Sequence, residues 1–422
     1  MISIEHIRNN FHEVKKGLLS KGDVKGLNEI ISIDKDYRNN LKMVNDLRSN
    51  RNKVSDEIAK LKKSGQDAND KIESMRSVGE KIKELENELS LKKEKLDGLL
   101  LNLPNIPHES VPQGENEDDN KVISTWGSDL KKDFTLKTHL ELGVSLELFD
   151  FERSAKISGS GFPLYTGKGA LLERSLINFM LDFHTNENQY SEIFPPFLVK
   201  SDSVLTTGNL PKFSEDMYHS EIDDLWLIPT AEVPITNIHQ NEILNENDLP
   251  KKYTAYSACF RREAGSYGKD TKGFLRLHQF NKVELVQLVR PEDSYKALED
   301  LTCHAEMILQ SLNLKYRKVE LCTGDLSFSA AKCYDLEIWA PAEKKWLEVS
   351  SCSNFEDFQA RRGNIKYRKS EDNKVQFVHT LNGSGLATPR LLVALLETYQ
   401  NPDGSITIPE PLQDYMKLKT ID

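Results

Sequence analysis

The stretch from Gly273 to Leu288, GFLRLHQFNKVELVQL, places Arg276, His278, Phe280, Lys282 and Glu284 at every second position. On a strand these side chains share one face, and Leu275, Leu277, Gln279, Asn281, Val283 and Leu285 share the other. Cations, an aromatic ring and a carboxylate on one face suit either a solvated surface or a face lined for a ligand. Just upstream, YSACFRREAG, Tyr256 to Gly265, reads as a second strand. Its one face carries Cys259, Arg261 and Glu263, its other Ala258, Phe260 and Arg262. The intervening GSYGKDTKG, Gly265 to Gly273, reads as a long loop that closes over a ligand, so the two strands should pair as an antiparallel hairpin. Arg261 and Glu263 then share a surface with Arg276, Phe280 and Glu284. That set fits a nucleotide: the ring stacks a base, guanidiniums hold phosphate oxygens in bidentate fashion, and a carboxylate is left for an amine.

Two further pieces fit the same chemistry. KKWLEVSSCSNF, Lys344 to Phe355, alternates around Trp346, Glu348 and Ser350. Glu348 and Ser351 offer hard oxygens suited to Mg²⁺ carried by a nucleoside triphosphate; taken alone, the segment reads as a strand with an exposed glutamate. LNGSGLATPRLLVALLETYQ, Leu381 to Gln400, reads as a glycine-rich turn feeding a helix. Arg390 lies in its first turns, where a guanidinium and a positive helix end face phosphates. Thr230 and Glu232 flank Ala231 between two prolines in IPTAEVP, which by itself reads as a surface turn.

The elements that hold these groups are legible as two regions. From about residue 130 onward, strands, glycines and aromatics are mixed. There Gly169 to Phe183 is an amphipathic helix with Leu171, Leu172, Leu176, Ile177, Met180 and Phe183 near one stripe. The SEIFPPFLVK strand after it loses two ladder donors at Pro195 and Pro196, which places it at an edge or an interface. Residues 36 to 100 repeat a mostly apolar stripe in steps of three and four: Val44, Leu47, Arg51, Val54, Ile58 and Leu61, then Met75, Val78, Ile82, Leu85, Leu89, Lys92, Leu96 and Leu99. The polar KSGQDAND between them makes this an antiparallel helical hairpin. Its first arm, Lys35 to Lys63, carries nine basic and four acidic residues; its second, Asp70 to Asp97, carries seven and eight. A basic arm lies along a phosphate backbone or is simply a solvated face. The proline-rich, then acidic LPNIPHESVPQGENEDDN, Leu103 to Asn120, reads as a linker. The expected domains are thus 1–105, a linker over 106–130, and 131–422.

The 422 residues carry a formal net charge of −10, which argues against generic coating of nucleic acid but permits a local basic element. MISIEHIRNN has no apolar run behind a basic start, and no stretch of about 18 apolar residues occurs, so neither a signal peptide nor a membrane span is expected. Five cysteines without a CxxC pair suit reduced thiols in a cytoplasmic protein.

Taken together, CFRRE with GFLRLHQFNKVE resembles motif 2 of class II aminoacyl-tRNA synthetases. GLATPRLLVALLE resembles their motif 3, and the helix with FPPFLV their motif 1, which builds a dimer interface. TAE, EVSSCSNF and LNGSGLATPR, with the hairpin and the LPNIPHESVP joint, look like the bacterial-type seryl-tRNA synthetase family over essentially the entire chain. SGSGFPLYTGKGA, Ser158 to Ala170, departs from the family's more usual SGSRF. The resemblance implies an α+β fold: an antiparallel sheet flanked by helices, with the hairpin at the N-terminus. It implies activation of L-serine by ATP with Mg²⁺, transfer to tRNA(Ser) and also tRNA(Sec) through the hairpin, and a cytoplasmic homodimer. It places Thr230, Ala231, Glu232, Glu284, Asn382 and Ser384 around serine, with Arg261 bridging serine and the α-phosphate. Arg262, Glu263, Phe280, Arg276 and Arg390 fall to ATP, as do Glu348, Val349, Ser350 and Ser351, with Glu348 and Ser351 on the metal. A ligase that loads a carrier protein would not need the hairpin, and an inactive homologue would not need Arg261, Glu348 and Arg390 together.

Overall fold

The computed structural model describes residues 1–22, 24–128, 132–264 and 273–422. The expected closing loop, Gly265 to Gly273, lies outside the described residues except for Gly273. The chain divides into two compact units, Ile2–Leu103 and Pro104–Asp422, with Met1 grouped with the second.

The N-terminal unit is dominated by two long helices, α1 (Leu27–Lys63) and α2 (Asn69–Leu101). Their 37 and 33 residues span about 55 and 50 Å. Val44 on α1 packs with Ile82, Leu85 and Leu89 on α2, flanked by Tyr37, Leu47 and Val78. This is the apolar seam that the sequence spacing requires of a hairpin. Cross-arm ion pairs, Arg48–Glu86 at 2.6 Å and Lys95–Glu29 at 2.5 Å, join the two helices along their exposed flanks. Solvent screens such pairs, so they help fix register more than they stabilise. The first arm starts at Leu27, earlier than its apolar stripe suggests, because the buried Leu27, Ile30 and Asp34 extend it.

The C-terminal unit is built on an eight-stranded sheet. Its strands are β1 (Lys121–Trp126), β2 (Ser191–Glu192), β3 (Lys251–Phe260), β4 (Gln279–Val289), β5 (Tyr316–Glu320), β6 (Lys332–Ala340), β7 (Lys345–Asn354) and β8 (His379–Ala387). The order is β1-β5-β6-β7-β8-β4-β3-β2, antiparallel throughout except for the short β2–β3 pair at one edge. Three helices cover one face: α3 (Gly167–Asn186), α4 (Ser294–Ser311) and α5 (Thr388–Tyr399). Leu176 and Met180 of α3, Leu301 and Ile308 of α4, and Leu391 and Leu395 of α5 pack in one core with Val283, Leu285, Val349 and Leu381 of the sheet. The opposite face is left for polar side chains.

Several expectations change on this scaffold. The stretch read as a linker is packed into the second unit. The Asn105 amide donates to Phe328 O at 2.8 Å, the His108 amide donates to Ala331 O at 2.9 Å, Val111 is buried, and Lys121–Trp126 pairs with β5. Its prolines prevent helix without preventing burial. LNGSGLA is part of strand β8 rather than a turn, and TPR already begins α5. Gly383 is demanded by packing: a Cβ there would meet Leu301 Cδ2 at 2.4 Å and Cys352 Sγ at 2.8 Å. The register shift between Ser384 and Leu386 makes Gly385 a bulge. The double proline splits SEIFPPFLVK into β2 and a separate strand, Leu198–Lys200. Gly161, at the departure from SGSRF, has φ +81° and its carbonyl accepts from the His278 amide at 2.7 Å. All five cysteines are free thiols; four are buried and Cys303 is exposed. Among the described residues no helix is long and apolar enough to cross a membrane.

Candidate active site

The hairpin expected from the sequence forms. Ten residues of β3, Lys251 to Phe260, pair with β4 from Leu288 back to Gln279. On β4, Phe280, Lys282 and Glu284 point to the open face, while Val283 and Leu285 enter the core. The first strand lies five residues earlier than the sequence suggests, and the second is shorter. β3 stops at Phe260, and residues 274–278 are turns and bends. The ribbon is nevertheless prolonged by the Arg261 amide, which donates to His278 O at 2.9 Å. Arg261 and Arg276 therefore still reach the site, whereas His278 is turned aside, its Nδ1 3.0 Å from Arg261 O and its ring beside Phe162.

Two adjoining cavities result, of about 540 and 330 Å³. Arg261, Glu263, Arg276, Lys282, Glu348 and Ser384 line both. In the smaller one the Arg261 guanidinium lies 5.1 Å from the centre of the Phe280 ring, a cation–π contact. Arg276 pairs with Glu263 at 2.6 Å. Glu263 holds a left-handed backbone, φ +52°, which a glutamate rarely adopts. Arg390, in the first turn of α5, forms another wall. Its Nη1 donates to Glu348 O at 2.9 Å and lies 3.6 Å from the Glu348 carboxylate.

The larger cavity centres on Glu284, which is 1% exposed. Thr230 Oγ1 donates to Glu284 Oε2 at 2.6 Å, Lys282 Nζ lies 2.6 Å from the same oxygen, and Asn382 Nδ2 donates to Oε1 at 3.2 Å. Ser384 sits directly across from Glu284 on β8. Glu232 faces the same space, and Gln359 Nε2 donates to it at 2.6 Å. Burial, then the nearby Glu284 charge, pushes the Glu232 carboxyl from 4.5 up to about 7. Glu284, Glu232 and Lys282 thus meet several hydroxyl and amide groups at one end of this cavity. An amino acid's ammonium and a small hydroxyl are complementary to it.

A third group of oxygens lies along β6 and β7. Leu336 pairs with Ser350 but Glu337 with Glu348, so Val349 is the extra residue of a bulge. The bulge shifts the alternation and brings Glu348 and Ser351, three apart, to the same face. Asp335, opposite Ser351, lines the same groove. Burial, and then Glu348, holds the Asp335 carboxyl well above its usual range. A glutamate, an aspartate and a serine hydroxyl are the hard oxygens that Mg²⁺ takes, so these residues fit that ion.

Not every expected residue faces the cavities. Ser350 is buried and its hydroxyl donates to Ser384 O at 2.7 Å; simple alternation put it beside Glu348, and the bulge turns it inward. The Ala231 methyl packs with Ile235 and Leu244, so only its backbone is left for a ligand. Arg262 is exposed and lines neither cavity, because β3 has ended before it. Val349 borders the smaller cavity from the core side. The structure adds Lys282, Asp335 and Gln359 to the site. Lys282 carried a signal, its place between Phe280 and Glu284 on one strand face. Asp335 and Gln359 carried none, since their partners are distant in sequence.

An antiparallel sheet backed by three helices, with Arg261 and Phe280 on one hairpin and Arg390 on a strand-fed helix, defines a class II tRNA synthetase core. The family model for the class II core domain of tRNA synthetases (G, H, P, S and T) matches residues 213–399, and that for the seryl-tRNA synthetase N-terminal domain matches residues 1–107. The chain is 54% identical over 417 residues to a serine–tRNA ligase of Listeria welshimeri, covering 99% of this chain and 98% of that one. It is 52% identical over 427 residues to one of Chlorobium phaeobacteroides, covering 100% and 99%. A crystal structure of seryl-tRNA synthetase from Pyrococcus horikoshii complexed with ATP superposes with a TM-score of 0.94 at 40% identity, covering 100% of this chain and 99% of that one. The chain belongs to the seryl-tRNA synthetase family.

Proposed function

We propose that the chain is a serine–tRNA ligase working in two steps. The carboxylate of L-serine attacks the α-phosphorus of ATP in line; a new P–O bond forms as the bond to pyrophosphate breaks, leaving seryl-adenylate. The terminal ribose hydroxyl of tRNA(Ser) then attacks the activated carbonyl and releases AMP. The attacking groups belong to the substrates, so the chain's task is alignment and placement of charge.

The observation that carries this reading is the continuity of the two cavities through Lys282: a polar hole centred on Glu284 opens into a space walled by Phe280 and three arginines. In it Thr230, Glu232, Glu284, Asn382 and Ser384 hold serine, with Glu284 and Glu232 taking its ammonium and hydroxyl. Arg261 bridges the serine carboxylate and the α-phosphate. The adenine stacks on Phe280, with Arg390 beyond it toward the γ-phosphate and Glu263 at the adenosine end. Arg276 also meets phosphate, and the backbone from Glu348 to Ser351 lies beside it. Glu348, Ser351 and Asp335 would hold Mg²⁺, which would supply neutralisation of phosphate charge.

The N-terminal unit carries the RNA side, the basic arm of α1 meeting the phosphate backbone of tRNA(Ser) and of tRNA(Sec). The chain acts as a cytoplasmic homodimer through the motif 1 region, where Phe194 is 77% exposed. ATP–pyrophosphate exchange over a panel of amino acids, followed by charging of total tRNA, tests the reading. Exchange should depend on serine, and the charged species should be the serine acceptors. Exchange with another amino acid in preference to serine, or none at all, contradicts it.

A further inference from the structure

Behind the smaller cavity, on the helix side of the sheet, lies a buried carboxylate that the reaction above does not use. Glu173 of α3 is 4% exposed. Its Oε1 accepts from Asn281 Nδ2 at 2.8 Å and from the Thr388 hydroxyl. Thr388 Oγ1 also lies 3.2 Å from Asn281 O, and the Tyr256 hydroxyl donates to Asn281 Oδ1 at 3.1 Å. One carboxylate thus ties three elements: the long helix α3, the strand β4 and the start of helix α5.

Its two partners occupy telling positions. Asn281 lies between Phe280 and Lys282, which line the smaller cavity. Thr388 lies between Ala387 and Pro389 and two residues before Arg390, which also line it. Each partner points away from the cavity while its chain neighbours point in. The separation of the two walls therefore depends on a bridge beneath the floor. Burial pushes the Glu173 carboxyl up to about 7 even against the bonds from Thr388 and Asn281. A leucine would fill the same space without this cost, so packing alone does not account for an acid here.

We propose that Glu173 is a positioning residue for the nucleotide subsite: by holding Asn281 and Thr388 together it fixes the Phe280 wall relative to the Arg390 wall. The inference rests on the proposed function only in taking the smaller cavity as the ATP subsite. Glu173→Gln keeps an oxygen acceptor for both partners; Glu173→Leu keeps bulk and loses it. Thr388→Val removes the other end of the bridge at nearly constant shape.

The test is calorimetric binding of ATP and, separately, of serine to the full-length chain, with thermal unfolding as the check on folding. Glu173→Leu and Thr388→Val should each weaken ATP about tenfold, the cost of one lost buried hydrogen bond, with serine affinity changed less than about twofold. Glu173→Gln should stay within about threefold of the parent for ATP. If Glu173→Leu fails to fold, Thr388→Val decides. ATP binding at parental strength in a folded Glu173→Leu or in Thr388→Val overturns the inference, as does equal weakening of ATP and serine. Failure of the parent chain itself to bind ATP overturns the function proposed above instead.

Discussion

At the scale of single residues, Arg261 and Glu232 carry the most specific expectations. Arg261 lies on the boundary of both cavities with its guanidinium over Phe280. In the proposed function it meets charge as it develops on the phosphoryl group. Arg261→Ala should lower serine-dependent pyrophosphate exchange by about 10²- to 10³-fold while the unfolding midpoint stays near that of the parent. Exchange close to the parent's would remove Arg261 from its role. Glu232 titrates near pH 7 because it is buried and faces Glu284, with Gln359, Lys282 and Arg261 favouring its charged form. In the proposed function the serine ammonium is attracted to the ionised carboxylate. Serine affinity should therefore fall as pH drops through about 7, by about tenfold between pH 8 and 6. Glu232→Gln should bind serine more weakly and flatten that profile. The stability of the ligand-free chain should run the other way. A carboxyl raised from 4.5 to about 7 in the fold is no burden below pH 4.5 and a full one above 7, so Glu232 and Glu173 both lower stability as pH rises across that window.

At the scale of elements, the hairpin α1–α2 has its own apolar seam, and the catalytic cavities are lined wholly by residues of the second unit. A chain lacking residues 36–100 should still form seryl-adenylate, measured by exchange, but charge tRNA poorly. Unchanged charging would contradict the RNA role given to the basic arm. The elements also show what a sequence can and cannot carry. The hairpin seam was legible because helical spacing is local, and the β3–β4 ribbon was legible because two alternating segments flank a breaker-rich loop. The strand nature of LNGSGLA was not, since its glycines answer to Leu301, Cys352 and a bulge rather than to a turn. Likewise the inward turn of Ser350 follows from an extra residue at Val349 that only the partner strand reveals. Asp335 and Gln359 join the site through contacts across the fold, and no local spacing announces them.

At the scale of the whole molecule, a chain of net charge −10 keeps most of its surface unattractive to nucleic acid and concentrates basic groups on one helical arm. The proposed chemistry is confined to the polar face of one sheet, whose other face is sealed by three helices. The central claim is that this face holds serine and ATP side by side, with Phe280 and Arg390 flanking the base and Glu284 beneath the amino acid. A crystal structure with a non-hydrolysable seryl-adenylate analogue tests it most directly. The adenine should lie on Phe280 in the space now taken by the Arg261 guanidinium, and the seryl group should reach Thr230, Glu284 and Ser384. An analogue bound elsewhere, or bound with its base in the Glu284 cavity and its seryl group against Phe280, would contradict the account.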